Sequence, residues 1–177
     1  MIFITGGVRS GKSAYAEQLA TALAAKQQLP KVYAATSVAF DTEMQQRIRQ
    51  HQRDRQHERW DTLEVPYELT ALQNVHGVVL FECVTTWLSN VLYAYGAHID
   101  AYIAEFQRVV TTLHGRIVIV SNEVLADGVS PYAETERYKR LLGQLHQWLV
   151  AQSDAAYECT FRHVTQWKGG AACKGFY

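Results

Sequence analysis

Seventeen basic against seventeen acidic side chains in a chain of 177 residues leave no overall field to draw in a polyanion, so charge-driven nucleic-acid binding is not expected. A hydrophobic content of 48% argues against disorder and suffices for one core-bearing domain spanning 1–177, with a loose end from about 168. Cys83, Cys159 and Cys173 are too few and too scattered for a zinc site or a disulfide framework, "MIFITGG" lacks the basic start of a signal peptide, and no apolar run is long enough to span a membrane; the reading is a cytoplasmic protein in a reducing setting.

In chain order, "IFIT" (Ile2–Thr5) is a short apolar run that stops at Gly6-Gly7 and predicts a strand. "GKSAYAEQLATALAAKQQ" follows with alanine-rich helical character, and "KVYAATS" is a second strand candidate. From Asp41 to about Asp54 the pattern predicts a helix, Asp41 capping it and Glu43 suiting the positive end of its dipole. "GVVLFE" (Gly77–Glu82) and "GRIVIVSNE" (Gly115–Glu123) are unbroken apolar runs of the kind buried in parallel sheets. Helical segments over Thr85–Tyr95, Asp100–His114 and Glu134–Ala151 alternate with them. Such alternation predicts an α/β fold, a mostly parallel central sheet with helices on both faces.

The sharpest motif is "GGVRSGKS", which fits G-x-x-x-x-G-K-[ST] directly after a strand and at the opening of a helix. Glycines let the backbone of Gly6, Gly7, Val8, Arg9, Ser10 and Gly11 fold so that its N–H groups converge on phosphate oxygens, and the helix start adds its positive end. Lys12 supplies a mobile charge to the β- and γ-phosphates, and Ser13 offers a hydroxyl to Mg²⁺. The substrate is therefore a nucleoside triphosphate, GTP or ATP. A magnesium site needs a carboxylate at the end of a neighbouring strand; Glu82 is preferred because it closes the more apolar run, with Glu123 as the other candidate.

"RIRQHQRDRQHERW" (Arg47–Trp60) concentrates five arginines and two histidines. On a helix, Arg47, His51 and Arg55 share one face, and Arg49, Arg53 and His57 form the adjoining stripe. Flanking cations lower a histidine's pKa by like-charge repulsion, and neutral imidazole has the lone pair a nucleophile needs, while the arginines suit an incoming triphosphate. A solvated basic face fits the same residues equally well on chemistry alone. A nucleic-acid surface fits less well, since no aromatic residues interleave with the arginines.

Taken together, "ITGGVRSGKSAYAE", "VYAATS…D.EM..RI..H", the Arg-rich stretch with "W.T.E.P", "FECVTTWLSN" and "IVIVSNEV", spread over roughly residues 1–124, resemble the bifunctional adenosylcobinamide kinase/adenosylcobinamide-phosphate guanylyltransferase family of cobalamin biosynthesis. The resemblance implies a RecA-like P-loop fold and a homotrimer. It also implies two reactions, phosphorylation of adenosylcobinamide and transfer of GMP from GTP onto adenosylcobinamide phosphate through a guanylyl-histidine. In R-I-x-x-H the implied nucleophile is His51, His57 being left as a loop residue, and Arg47, Arg55, Glu64 and Glu82 join the nucleotide site. The chain departs from the family after Glu123: "NEVLADGVSP" replaces a glycine-containing step, Tyr138-Lys139-Arg140 and His146-Gln147 stand where other residues are usual, and "FRHVTQWKGG" replaces a glycine-rich strand end. Trp87, Leu88, Val91 and Leu92 read as core, Cys83 as a small buried side chain, and Thr85 and Asn90 carry no assigned chemistry. A P-loop kinase without the covalent step, and a nucleotide-dependent regulatory protein using its Arg-rich helix, are the competing readings.

Overall fold

The computed structural model describes residues 1–38, 59–126 and 128–170. Seven strands form one sheet: β1 (Ile2–Gly6), β2 (Lys31–Ala35), β3 (Trp60–Glu64), β4 (Val78–Glu82), β5 (Ile117–Val120), β6 (Ala155–Thr160) and β7 (His163–Lys168), in the order β3-β2-β4-β5-β1-β6-β7. All neighbours pair in parallel except β6 and β7, which form an antiparallel hairpin. Among the described residues four α-helices cover it: α1 (Lys12–Gln27), α2 (Val84–Tyr95), α3 (Ile99–Thr112) and α4 (Ala133–Gln152).

Strand alternation divides the apolar residues between two cores. Ile2, Ile4, Leu80, Val118 and Val120 point to the α1 face and meet Ala16, Leu19, Ala20 and Leu23. Phe3, Val79, Phe81, Ile117 and Ile119 point the other way and are covered by α2, α3 and α4. Alanine at positions 16 and 20 lets α1 lie close on the sheet. The larger space opposite is filled by aromatic rings, Trp87 stacking on Phe106 at 4.8 Å between centroids while its Nε1 donates to the Tyr67 carbonyl at 2.8 Å. Each such side chain taken out of water contributes on the order of 1.5–3 kcal/mol.

The helix and strand expectations that fall on described residues agree with these elements within two residues, except that β5 stops at Val120 where the apolar run was read to Glu123; Trp87, Leu88 and Val91 are core, with Leu92 packed against it. The predicted helix over Asp41–Asp54 lies outside the described residues. Three strands had no counterpart in the sequence reading. β3 ("WDTLE") and β7 ("HVTQWK") are polar edge strands, and β6 ("AAYECT") carries alanines where a branched run would have announced it. Lys168 is not part of a loose end: it closes β7, and its Nζ donates to the carbonyls of Val150 and Ala151.

Parallel strands gather their C-terminal ends on one rim, which carries the phosphate loop. The opposite rim is tied by polar contacts. Arg116 donates to the carbonyls of Val75 and Gly77, Gln27 donates to that of Gly115, and the Met1 ammonium pairs with Asp154.

Candidate nucleotide site

β1 delivers the chain to Gly6, where the strand must turn away beside β6. A Cβ at Gly6 would lie 2.3 Å from the Cys159 carbonyl oxygen, and its φ of 152° is rarely adopted by other residues, so glycine is required twice over. Arg9 and Gly11 take left-handed φ values of 60° and 95°, and the loop closes on itself where Ser10 N–H donates to the Gly7 carbonyl. α1 then begins at Lys12 with no side-chain cap, which leaves its first N–H groups facing the loop's concavity.

Lys12 is buried to 8% exposure, and its Nζ donates back to the Gly7 carbonyl at 3.1 Å. A buried cation folded back over a glycine-rich loop at a helix start is an arrangement that suits a polyphosphate. Ser13 Oγ donates to Glu82 Oε1, and the Tyr33 hydroxyl donates to Glu82 Oε2 at 3.2 Å. One strand, β5, stands between β1 and β4, so Glu82 reaches the loop across the end of a neighbour. Thr36 fixes the end of β4, its Oγ1 accepting from Cys83 N–H at 2.7 Å and its own N–H donating to the Glu82 carbonyl.

Glu123 is engaged differently: its Oε1 accepts from Leu125 N–H at 2.8 Å, closing its own turn. Glu64 ends β3 on the same rim, opposite Ala35 in the register that also sets Ala35 opposite Glu82. Arg47, His51, Arg55 and the neighbouring Arg49, Arg53 and His57 lie outside the described residues. Among the described residues no cluster of three or more His, Cys, Asp or Glu is placed to hold a metal ion. A hard-oxygen pair of one hydroxyl and one carboxylate beside a phosphate seat nonetheless fits Mg²⁺, which takes few protein ligands and completes its shell with phosphate and water.

Beside the loop lies a cleft of about 590 Å³, bounded by Arg9–Tyr15 and Gln18 on one side and by Cys159, Arg162 and Val164 on the other. Tyr33, Thr36 and Arg162 were not among the expected site residues, because sheet order and not spacing brings them here. Residues Asn90 and Thr85 act in packing. Asn90 Nδ2 donates to the carbonyls of Thr36 and Pro66, and Thr85 Oγ1 accepts from Asn122 Nδ2 at 2.8 Å. Cys83 is buried against the hydroxyls of Thr85 and Thr86. Of the departing residues on α4, Tyr138 donates to the Thr85 carbonyl at 3.0 Å, and burial pushes its pKa up to about 12. His146 Nε2 lies 2.7 Å from Ser121 Oγ, and burial pushes its pKa down to about 4 against a smaller upward pull from Glu123. Arg140 is exposed on the same helix.

A parallel sheet whose first strand opens into this loop, with the acidic strand one place removed, defines a RecA-like P-loop NTPase. Residues 2–162 match the family described as CobU, cobinamide kinase / cobinamide phosphate guanyltransferase, and the chain belongs to that family of enzymes. It is 35% identical over 176 residues to the bifunctional adenosylcobalamin biosynthesis protein CobU of Escherichia coli, covering 89% of this chain and 93% of that one. It is 39% identical over 157 residues to the bifunctional adenosylcobalamin biosynthesis protein CobP of Pseudomonas aeruginosa, covering 85% and 87%. In three dimensions it is similar to the flagellar accessory protein FlaH of Methanocaldococcus jannaschii, with a TM-score of 0.52 over 97% of this chain and 79% of that one; at 16% identity this likeness concerns the fold alone. No helix among the described residues is long and apolar enough to cross a membrane.

Proposed function

We propose that the chain phosphorylates adenosylcobinamide and then transfers GMP from GTP to the resulting phosphate, and that a guanylyl-histidine on His51 links the two halves of the second reaction. Family membership supplies the pair of activities. The observation that carries the site is the pairing of Ser13 with Glu82 at the start of α1, beside the buried Lys12 whose Nζ reaches back to the Gly7 carbonyl of the loop.

In the first reaction the substrate hydroxyl attacks the γ-phosphorus of GTP or ATP, the nucleoside diphosphate leaves, and the hydroxyl proton is released. Lys12 and the loop amides hold the charge that builds on the β- and γ-oxygens. In the second, an imidazole nitrogen of His51 attacks the α-phosphorus of GTP and pyrophosphate leaves. The phosphate oxygen of adenosylcobinamide phosphate then attacks the same phosphorus and restores the imidazole. Arg47 and Arg55, four residues to either side of His51 in the sequence, would steady the triphosphate, and Glu64 at the end of β3 would bind the nucleotide. Ser13 and Glu82 would hold Mg²⁺, whose bound charge would neutralise phosphate oxygens. The assembly expected for such an enzyme is a homotrimer in the cytoplasm.

The decisive experiment uses α-labelled GTP. After denaturing electrophoresis the wild type should retain label that acid releases and alkali spares, the behaviour of a phosphoramidate. His51→Ala should lose that label, His57→Ala should keep it, and γ-phosphoryl transfer should persist in the His51 variant. Acid-labile label persisting in His51→Ala would assign the nucleophile elsewhere, and its absence from the wild type would leave a kinase without the covalent step.

A further inference from the structure

On the cleft wall opposite the phosphate loop and its helix, Cys159 of β6 and Val164 of β7 flank the β6–β7 turn. It consists of Phe161 and Arg162, which join the paired residues Thr160 and His163. Their φ values are 50° and 65°. A two-residue turn of this hand ordinarily uses asparagine and glycine, because a Cβ in the left-handed region crowds the neighbouring carbonyl oxygen. Two bulky side chains here are strained, and such strain persists where the surroundings enforce it. The enforcing contacts are on the phosphate loop: Arg162 N–H donates to the Ser10 carbonyl at 2.8 Å, and Arg162 Cγ lies 3.3 Å from where a Cβ on Gly11 would sit. Gly11 thus leaves room for Arg162. Among the described residues no carboxylate pairs with the guanidinium.

We propose that Arg162 is a nucleotide-binding residue, its planar guanidinium forming one wall of the slot that holds the nucleoside half of the triphosphate. The inference rests on the reading of the loop as a phosphate seat. The loop amides and Lys12 already serve the phosphates. Beyond Ser13 the cleft continues along α1 past Ala14 and Tyr15 to Gln18, a rise of about 7.5 Å at 1.5 Å per residue, comparable to a ribose and its base. Tyr15 and Gln18 face this extension from the helix, and Arg162 and Val164 face it from the hairpin. A flat cation opposite a helix suits the π-face of a purine, whether guanine or adenine, and stacking of this kind tolerates either base. "FRHVTQWKGG", left without a role by the sequence reading, thereby gains one.

Titration calorimetry with GTP, ATP and inorganic tripolyphosphate tests the assignment on the intact protein. Arg162→Asn is the variant of choice, because asparagine accepts a left-handed φ and keeps the turn. Its affinity for GTP and ATP should fall about tenfold while tripolyphosphate binds as in the wild type. Arg162→Lys, which keeps the charge without the plane, should show a similar loss. Unchanged nucleotide affinity in Arg162→Asn would remove the residue from the site. An equal loss for tripolyphosphate, or full recovery with lysine, would make it a phosphate contact and overturn the nucleoside assignment. Should Lys12→Ala bind GTP and tripolyphosphate like the wild type, the phosphate seat itself would be misassigned, a failure distinct from that of Arg162.

Discussion

Glu82 illustrates how one side chain acquires a role from three different elements. Its carboxylate is offered by the end of β4, accepts from Ser13 at the start of α1, and accepts from Tyr33 on β2. Replacing it with glutamine keeps the shape and removes the charge. Turnover of Glu82→Gln should fall, and its dependence on Mg²⁺ should move to higher concentration, with a loss on the order of 10²-fold at the wild-type optimum. A magnesium titration that overlays the parent's would place the metal away from Glu82 and return attention to Glu123. The contrast between those two glutamates was only half legible in the sequence, since each stands at the end of an apolar run, although β5 itself stops at Val120. What separates them is local: Glu123 turns back on the amide of Leu125, two residues ahead.

At the scale of elements, His146 shows the cost of seating α4 on the sheet. Its imidazole packs against Phe3 at 5.4 Å between centroids and shares a hydrogen bond with Ser121 at the end of β5. Burial holds its pKa near 4 in the folded state, below the 6.5 of an unfolded chain. Between those values the unfolded chain binds a proton that the folded one refuses, so stability is complete above pH 6.5 and declines as pH falls toward 4. The decline attributable to this group amounts to about 3 kcal/mol at most. His146→Gln, measured by urea unfolding from pH 8 to pH 4, should flatten the curve relative to the wild type; parallel curves would mean that the ring protonates without leaving its seat. Apolar runs made β1, β4 and β5 and the covering helices readable from sequence, because burial on both faces demands them. β3, β6 and β7 were not readable. β3 and β6 pair with strands distant in the chain, while β7 follows β6 through a Phe161-Arg162 turn without the usual hairpin residues, and "HVTQWK" alternates polar and apolar residues too weakly to declare a strand. For the same reason the phosphate loop, a contiguous local motif, was legible in full, while the far wall of its cleft was not.

For the molecule as a whole, the parallel sheet places Lys12, Ser13, Glu64 and Glu82 on one rim and leaves the other to hold the strands together. Arg116 is the clearest example of the second kind, since its guanidinium ties β5 to the connection that enters β4. Arg116→Ala strips two partly buried carbonyls of their donor and should lower unfolding free energy by about 1–3 kcal/mol. Its kcat and KM for the nucleotide at 25 °C should stay within twofold of the wild type, and a larger kinetic change would mean that strain passes along the strands between rims. If the two ends are that separate, selection can act on them separately. A lineage moving to a hotter habitat can revise the tethers at one end of the strands without disturbing the chemistry at the other. Recruitment to an altered substrate would proceed in reverse, concentrating change in loops and turns such as Phe161-Arg162 while the tethers stay as they are.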